Sequence, residues 1–219
     1  MDSSYDLSQL FSDGGPMMYP LVICSLIGLG VIIAKTWTLW VAHRSAVRVM
    51  EGVEEAARTG SFDEAVEIAA SSPGPAAAIL LAGLRRIRHL TLHKGELEQV
   101  VSTTGTIELS FLERGLVILA TIANVAPLMG FLGTVTGMIL AFDAIHQSGD
   151  VEPATVAGGI KVALLTTAAG LTIAIPVNIG YNYFVTRIDR LIVDMEESTQ
   201  KVLNLAWDLE RDGRLTIVA

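Results

Sequence analysis

NVAPLMGFLGTVTGMILAF, residues 124–142, decides how the rest of the chain is read. The run is apolar enough to sit in a bilayer, and together with the residues before it is long enough to cross one as a helix. A helix that faced only lipid would be built of Leu and Ile, but here Pro127, Gly130, Gly133, Thr134, Thr136 and Gly137 interrupt them. GGIKVALLTTAAGLTIAIPVNIGYNYF, residues 158–184, has the same character. Small residues and hydroxyls inside an apolar span mean close helix contact, a polar path, or both.

Composition agrees with a membrane setting. Of 219 residues 51% are hydrophobic and only 17% charged, and the mean hydropathy is +0.52, too apolar for an ordinary soluble domain. A net charge of −8 with acidic and basic residues interleaved excludes nucleic acid as a partner. The single cysteine, Cys24, rules out an intramolecular disulfide and reads as a small buried hydrophobe. The amino end carries Asp2, Asp6 and Asp13 with no Lys or Arg before the first apolar run. A cleavable leader needs a basic start, so the first span is expected to be retained as an anchor.

Three windows reach the roughly 20 apolar residues that a crossing needs. They predict transmembrane helices at 17–42, 116–143 and 158–185. Trp37 and Trp40 mark a headgroup level, and Lys35 reads as an interface anchor in preference to a buried functional lysine. Arg44, Arg48 and Arg58 follow the first span, Arg114 precedes the second, and Arg187 and Arg190 follow the third, whereas the amino tail and the link 144–157 lack Arg. The positive-inside rule then puts 1–16 and 144–157 outside, and the helical segment 43–115 and the carboxyl-terminal helix 186–219 inside.

Inside the membrane boundary, Thr59 and Gly60 are expected to end the first helix. Ser61 and Glu64 form a capping-box pattern for a short helix through Ala70, and SSPGP at 71–75 breaks the chain before a helix over 76–90. Its basic run, Arg85, Arg86 and Arg88, reads as a solvated face in preference to a lipid-headgroup site. From Gly95 the helical pattern runs into the second span with no strong breaker. Beyond the third span Ile188, Leu191, Ile192, Met195, Val202, Leu205, Ala206 and Leu209 keep a helical stripe that needs a partner, so a homo-oligomer is expected. No strand-like alternation of useful length is present. The expected fold is all-α: an integral membrane protein with three transmembrane helices and long helices extending into the cytoplasm.

Gly130, Gly133, Gly137 and Ala141 share one face of the second span, and Ala163, Thr167, Gly170 and Ala174 one face of the third. Both faces suit close helix packing. Thr134, Thr136, Thr166 and Thr167 are the candidate ion-pathway hydroxyls, against the alternative that each bonds a carbonyl one turn back. Pro127 and Pro176 read as helix kinks. None of the three spans holds an Asp, Glu or His in its central part, so a proton path needs a carboxylate from a second chain. Asp143 and His146 come only at the outer end of the second span. Lys161 reads as an interface anchor in preference to an electrostatic gate. No catalytic pair, metal-ligand cluster or phosphate loop is present, and no cofactor or enzyme activity is expected.

APLMGFLGTVTGMILAF at 126–142 and GIKVALLTTAAGLTIAIPVNIGYN at 159–182 resemble the MotA/TolQ/ExbB proton-channel family, and its ExbB/TolQ branch in particular. The resemblance implies a pentamer in the inner membrane of a bacterium, amino terminus periplasmic and carboxyl terminus cytoplasmic. It would enclose single-span ExbD/TolR-like subunits that supply a membrane aspartate, so that the proton motive force drives work on the cell envelope. By motif, Thr134 and Thr167 take the positions of the family's pore threonines. Many ExbB and TolQ sequences carry a glutamate two residues after the isoleucine of GI-x-E-AL, where this chain has Val162 after Lys161. Proton or sodium, and the machine driven, stay open, and a non-conducting membrane scaffold recruiting cytoplasmic partners is the alternative reading.

Overall fold

Long apolar runs with few breakers become long helices. The computed structural model describes residues 7–58, 61–88, 91–93, 95–149, 153–211 and 216–218. Among them the helices are α1 (Leu7–Asp13), α2 (Met18–Arg58), α3 (Phe62–Ser71), α4 (Pro75–Ile87), α5 (Glu96–Glu113), α6 (Leu116–Ser148) and α7 (Pro153–Arg211). Three helical stretches, in α2, in α5 with α6, and in α7, are long and apolar enough to cross a membrane. Pro127 lies inside α6 and Pro176 inside α7 without ending either helix.

The chain divides into two units, Met1–Ala34 with Gly115–Tyr183, and Lys35–Arg114 with Phe184–Ala219. In the first, Leu21, Leu119, Ile122, Ala126 and Val177 are buried, while Leu26, Leu128, Phe131, Ile139 and Ile179 are exposed. An envelope of large apolar side chains suits hydrocarbon. In the second, Val49, Ile79, Leu80, Leu84, Val101, Leu191 and Val202 are buried. Ion pairs join its elements: Arg86 Nη2 lies 2.6 Å from Glu96, Arg88 lies 3.1 Å from Asp63, and Lys201 lies 3.2 Å from Glu54. Arg86 and Arg88 of the basic run are therefore tied to neighbouring helices.

Several sequence expectations need correction. The pattern from Gly95 into the second span does break, because Arg114 is non-helical (φ −55°, ψ 132°) and Gly115 is left-handed at φ 88°. Only glycine takes that conformation without a Cβ penalty. The capping box at Ser61 does not form: Ser61, at ψ 73°, makes no side-chain cap bond, and it is its carbonyl that accepts from the Ala65 N–H at 3.1 Å. The expected stop at Thr59 and Gly60 lies outside the described residues, whereas the helix expected over 76–90 already ends at Ile87, with Arg88 as its cap. Helices α6 and α7 reach Ser148 and Pro153, into the segment read as a link. Helix α1 falls in the amino segment for which no helix was expected.

The all-α expectation also misses a parallel pair, β1 (Thr91–His93) with β2 (Thr216–Val218), in register Thr91 to Thr216. Three-residue strands are too short to show alternation. Their partners are far apart in the chain.

Candidate functional site

The site is the seam between α6 and α7 within the first unit. A Cβ added at Gly130 would lie 2.9 Å from the Thr166 carbonyl oxygen and 3.1 Å from the Thr167 Cα; at Gly137, 2.9 Å from the Gly159 carbonyl oxygen; at Gly170, 2.6 Å from the Ala126 carbonyl oxygen. At Gly133 it would collide with the Thr166 side chain. The two small faces therefore meet each other, backbone against backbone, with Ala141, Ala163 and Ala174 buried.

Close backbones bring hydroxyls within reach of carbonyls on the other helix. The hydroxyls of Thr134 and Thr167 lie 2.6 Å apart. Thr167 Oγ1 donates to the Gly130 carbonyl at 3.1 Å, and Thr134 Oγ1 reaches the Ala163 carbonyl at 3.3 Å and the Gly130 carbonyl at 3.4 Å. Each hydroxyl has one proton and more than one acceptor, so the pair has two hydrogen-bond directions. Either Thr134 donates to Thr167, which donates to Gly130, or Thr167 donates to Thr134, which donates to a carbonyl. That is a switchable pair. It carries no charge.

The other two candidate hydroxyls are placed differently. Thr166 is wholly buried, and its Oγ1 lies 3.0 Å from the carbonyls of Val162 and Ala163 on its own helix. Thr136 donates to the Gly133 carbonyl at 3.1 Å on its own helix. Sequence reading missed the Gly130 carbonyl, which hydroxyls of Thr134, Thr166 and Thr167 all approach. Its signal is the glycine itself, since a side chain there would hold α7 away. Pro127 and Pro176 lack an N–H, so the carbonyls one turn back, on Ala123 and Thr172, lose the donor four residues on.

The charged groups nearest the expected spans are held elsewhere. Lys35, read as an interface anchor, is only 9% exposed, and its Nζ donates to the Leu112 carbonyl at 2.7 Å. Leu112 is in the last turn of α5, whose carbonyls lack helical donors and form the negative end of the helix dipole. Lys161 pairs with Asp13 at the end of α1. Asp143 and His146 are exposed, and Gln147 donates to Asp143 at 2.9 Å. In the second unit the Glu96 carboxyl is held below its usual range by hydrogen bonds from the Arg86 guanidinium and then from the His93 backbone N–H.

Comparison with known proteins places these motifs. A model of the MotA/TolQ/ExbB proton channel family matches residues 71–197. A putative biopolymer transport protein ExbB homolog of Methanothermobacter thermautotrophicus is 31% identical over 93% of this chain and 71% of its own length. The biopolymer transport protein ExbB of Pseudomonas putida is 31% identical over 86% of this chain and 61% of its own length. That of Neisseria meningitidis serogroup A is 28% identical over 81% of this chain and 86% of its own length.

Proposed function

The chain belongs to the MotA/TolQ/ExbB proton channel family, and from that premise we propose that it is the channel-wall subunit of an energising complex for biopolymer transport. It works as a multi-pass protein of the bacterial inner membrane, amino terminus periplasmic and carboxyl terminus cytoplasmic. In this reading residues 17–42, 116–143 and 158–185 cross the membrane. Copies of the chain form a ring, expected to be pentameric, around single-span ExbD/TolR-like subunits. The proton motive force moves one against the other. Thr134 and Thr167 face the ion path, while Gly130, Gly133, Gly137, Ala163, Gly170 and Ala174 hold the wall together, and Thr166 belongs with them.

The observation that carries this is the Thr134–Thr167 hydroxyl pair, 2.6 Å apart in a glycine seam within spans whose central parts hold no Asp, Glu or His. Hydroxyls and a freed carbonyl can pass or coordinate an ion; they cannot store a proton at ordinary pH. The wall is therefore complete as a lining and incomplete as a pump until a partner brings an acid. Family membership is that of a proton channel, not of an enzyme.

The test is co-expression with single-span partners bearing a membrane aspartate, scored by work that depends on the ion gradient. Thr134→Val with Thr167→Val is expected to abolish that work while the complex still assembles. Wild-type output from the double variant would remove the threonines from the mechanism. Full output after the proton motive force is collapsed would favour the scaffold reading.

A further inference from the structure

A second polar constellation lies in the other unit and has no part in the seam. Asp194 of α7 has a side chain that is 29% exposed, yet its Oδ2 is sealed from solvent and has no hydrogen-bond partner. Nδ1 of His43, on α2, lies 3.9 Å from that same oxygen. The separation is too long for a hydrogen bond and short enough to become one with a small side-chain rotation. An ionised carboxylate oxygen held away from water without a donor is costly. Uptake of one proton by the carboxyl removes the cost, because the neutral acid needs no donor at that oxygen.

We propose that Asp194, with the His43 ring facing its sealed oxygen, is a proton-binding site joining α2 to α7. Among the described residues, the titratable groups that bear on Asp194 are His43 from α2 and Glu197 from the next turn of α7. Burial pushes the Asp194 carboxyl above its ordinary value; His43 pulls it down and Glu197 pushes it up. The sign of the pH dependence is definite. A carboxyl whose folded pKa is raised stabilises the α2–α7 contact at low pH, and that stabilisation is lost as pH rises through the folded midpoint. The site rides on the same continuous helix as Thr167, and its ligand is the proton itself.

The full chain in lipid nanodiscs, with labelled aspartate, tests this by following the Asp194 carboxyl carbon across pH. The midpoint is expected above the ordinary aspartate value of 3.8, and it should move higher in His43→Gln, which removes the basic group that lowers it. Asp194→Asn cannot ionise, so its thermal stability is expected to gain on wild type as pH rises. An Asp194 midpoint at or below the ordinary value, or one unmoved by His43→Gln, overturns the proposal. If Asp194→Asn fails to fold, His43→Gln and His43→Asn decide the matter by the same carbon signal.

Discussion

The seam and the helical bundle of the second unit are built in opposite senses. Between α6 and α7 the smallest residues face each other and the largest face outward: Gly130, Gly133 and Gly170 lie against backbone or side chain of the other helix, while Leu128 and Phe131 are each 65% exposed. In the second unit Leu84 and Val101 are wholly buried, and Arg86, Arg88 and Lys201 make ion pairs at its surface. In water, burying a large apolar side chain is itself favourable, so large residues go inside. In lipid that gain is absent, and close approach and interhelical hydrogen bonds are left to hold helices together. The two units thus follow opposite packing rules.

The most disruptive way to break the comparison is to put a large side chain in the seam. In Gly170→Leu the new Cβ meets the Ala126 carbonyl of a facing helix, and a backbone cannot rotate away. Loss of stability by more than about 3 kcal/mol, with loss of assembly, is expected in detergent unfolding. The opposite change belongs to the bundle: Leu84→Ala, at a fully buried position, is expected to cost about 3 kcal/mol by leaving a cavity. If Gly170→Leu costs less than Leu84→Ala, the seam is not backbone-tight.

A smaller effect sharpens the polar side of the contrast. Thr134→Val keeps the shape of the side chain and removes its hydrogen bonds to Thr167 and to the carbonyls. About 1 kcal/mol of stability should go with them, while Thr134→Ser retains most of it. The smallest effect is at the bundle surface. The Glu96 carboxyl is depressed below its ordinary 4.5 by Arg86, so the stability it lends is present above that value and disappears as pH falls through the lower folded value. Glu96→Gln should therefore differ from wild type at neutral pH and converge with it in acid, as read from thermal midpoints. A difference that persists in strong acid would assign the contact to packing instead.

The three apolar helices, the family and the two small faces were legible in the sequence because hydropathy and helical spacing are local properties. Gly130, Gly133 and Gly137 announce a close contact by their interval alone, and the absence of Asp, Glu and His from the centres of the spans is visible without any coordinates. Lys35 shows the limit. Its position beside Trp37 suggested an interface, but its partner is the Leu112 carbonyl, made available by a helix end that depends on Gly115. The pairing of Thr91–His93 with Thr216–Val218 was equally hidden.

By itself the sequence determined which stretches suit lipid, which helix faces are small, and that the span centres hold no Asp, Glu or His. Only the tertiary structure decided that Thr134 meets Thr167 while Thr166 turns into the glycine face, and that Asp194 leaves one oxygen unpaired beside His43. The reason is physical: composition and period depend on neighbours along one chain segment, whereas a hydrogen bond across two helices depends on their rotation and separation. A shift of one residue in register would exchange the hydroxyl that reaches across for the one that does not.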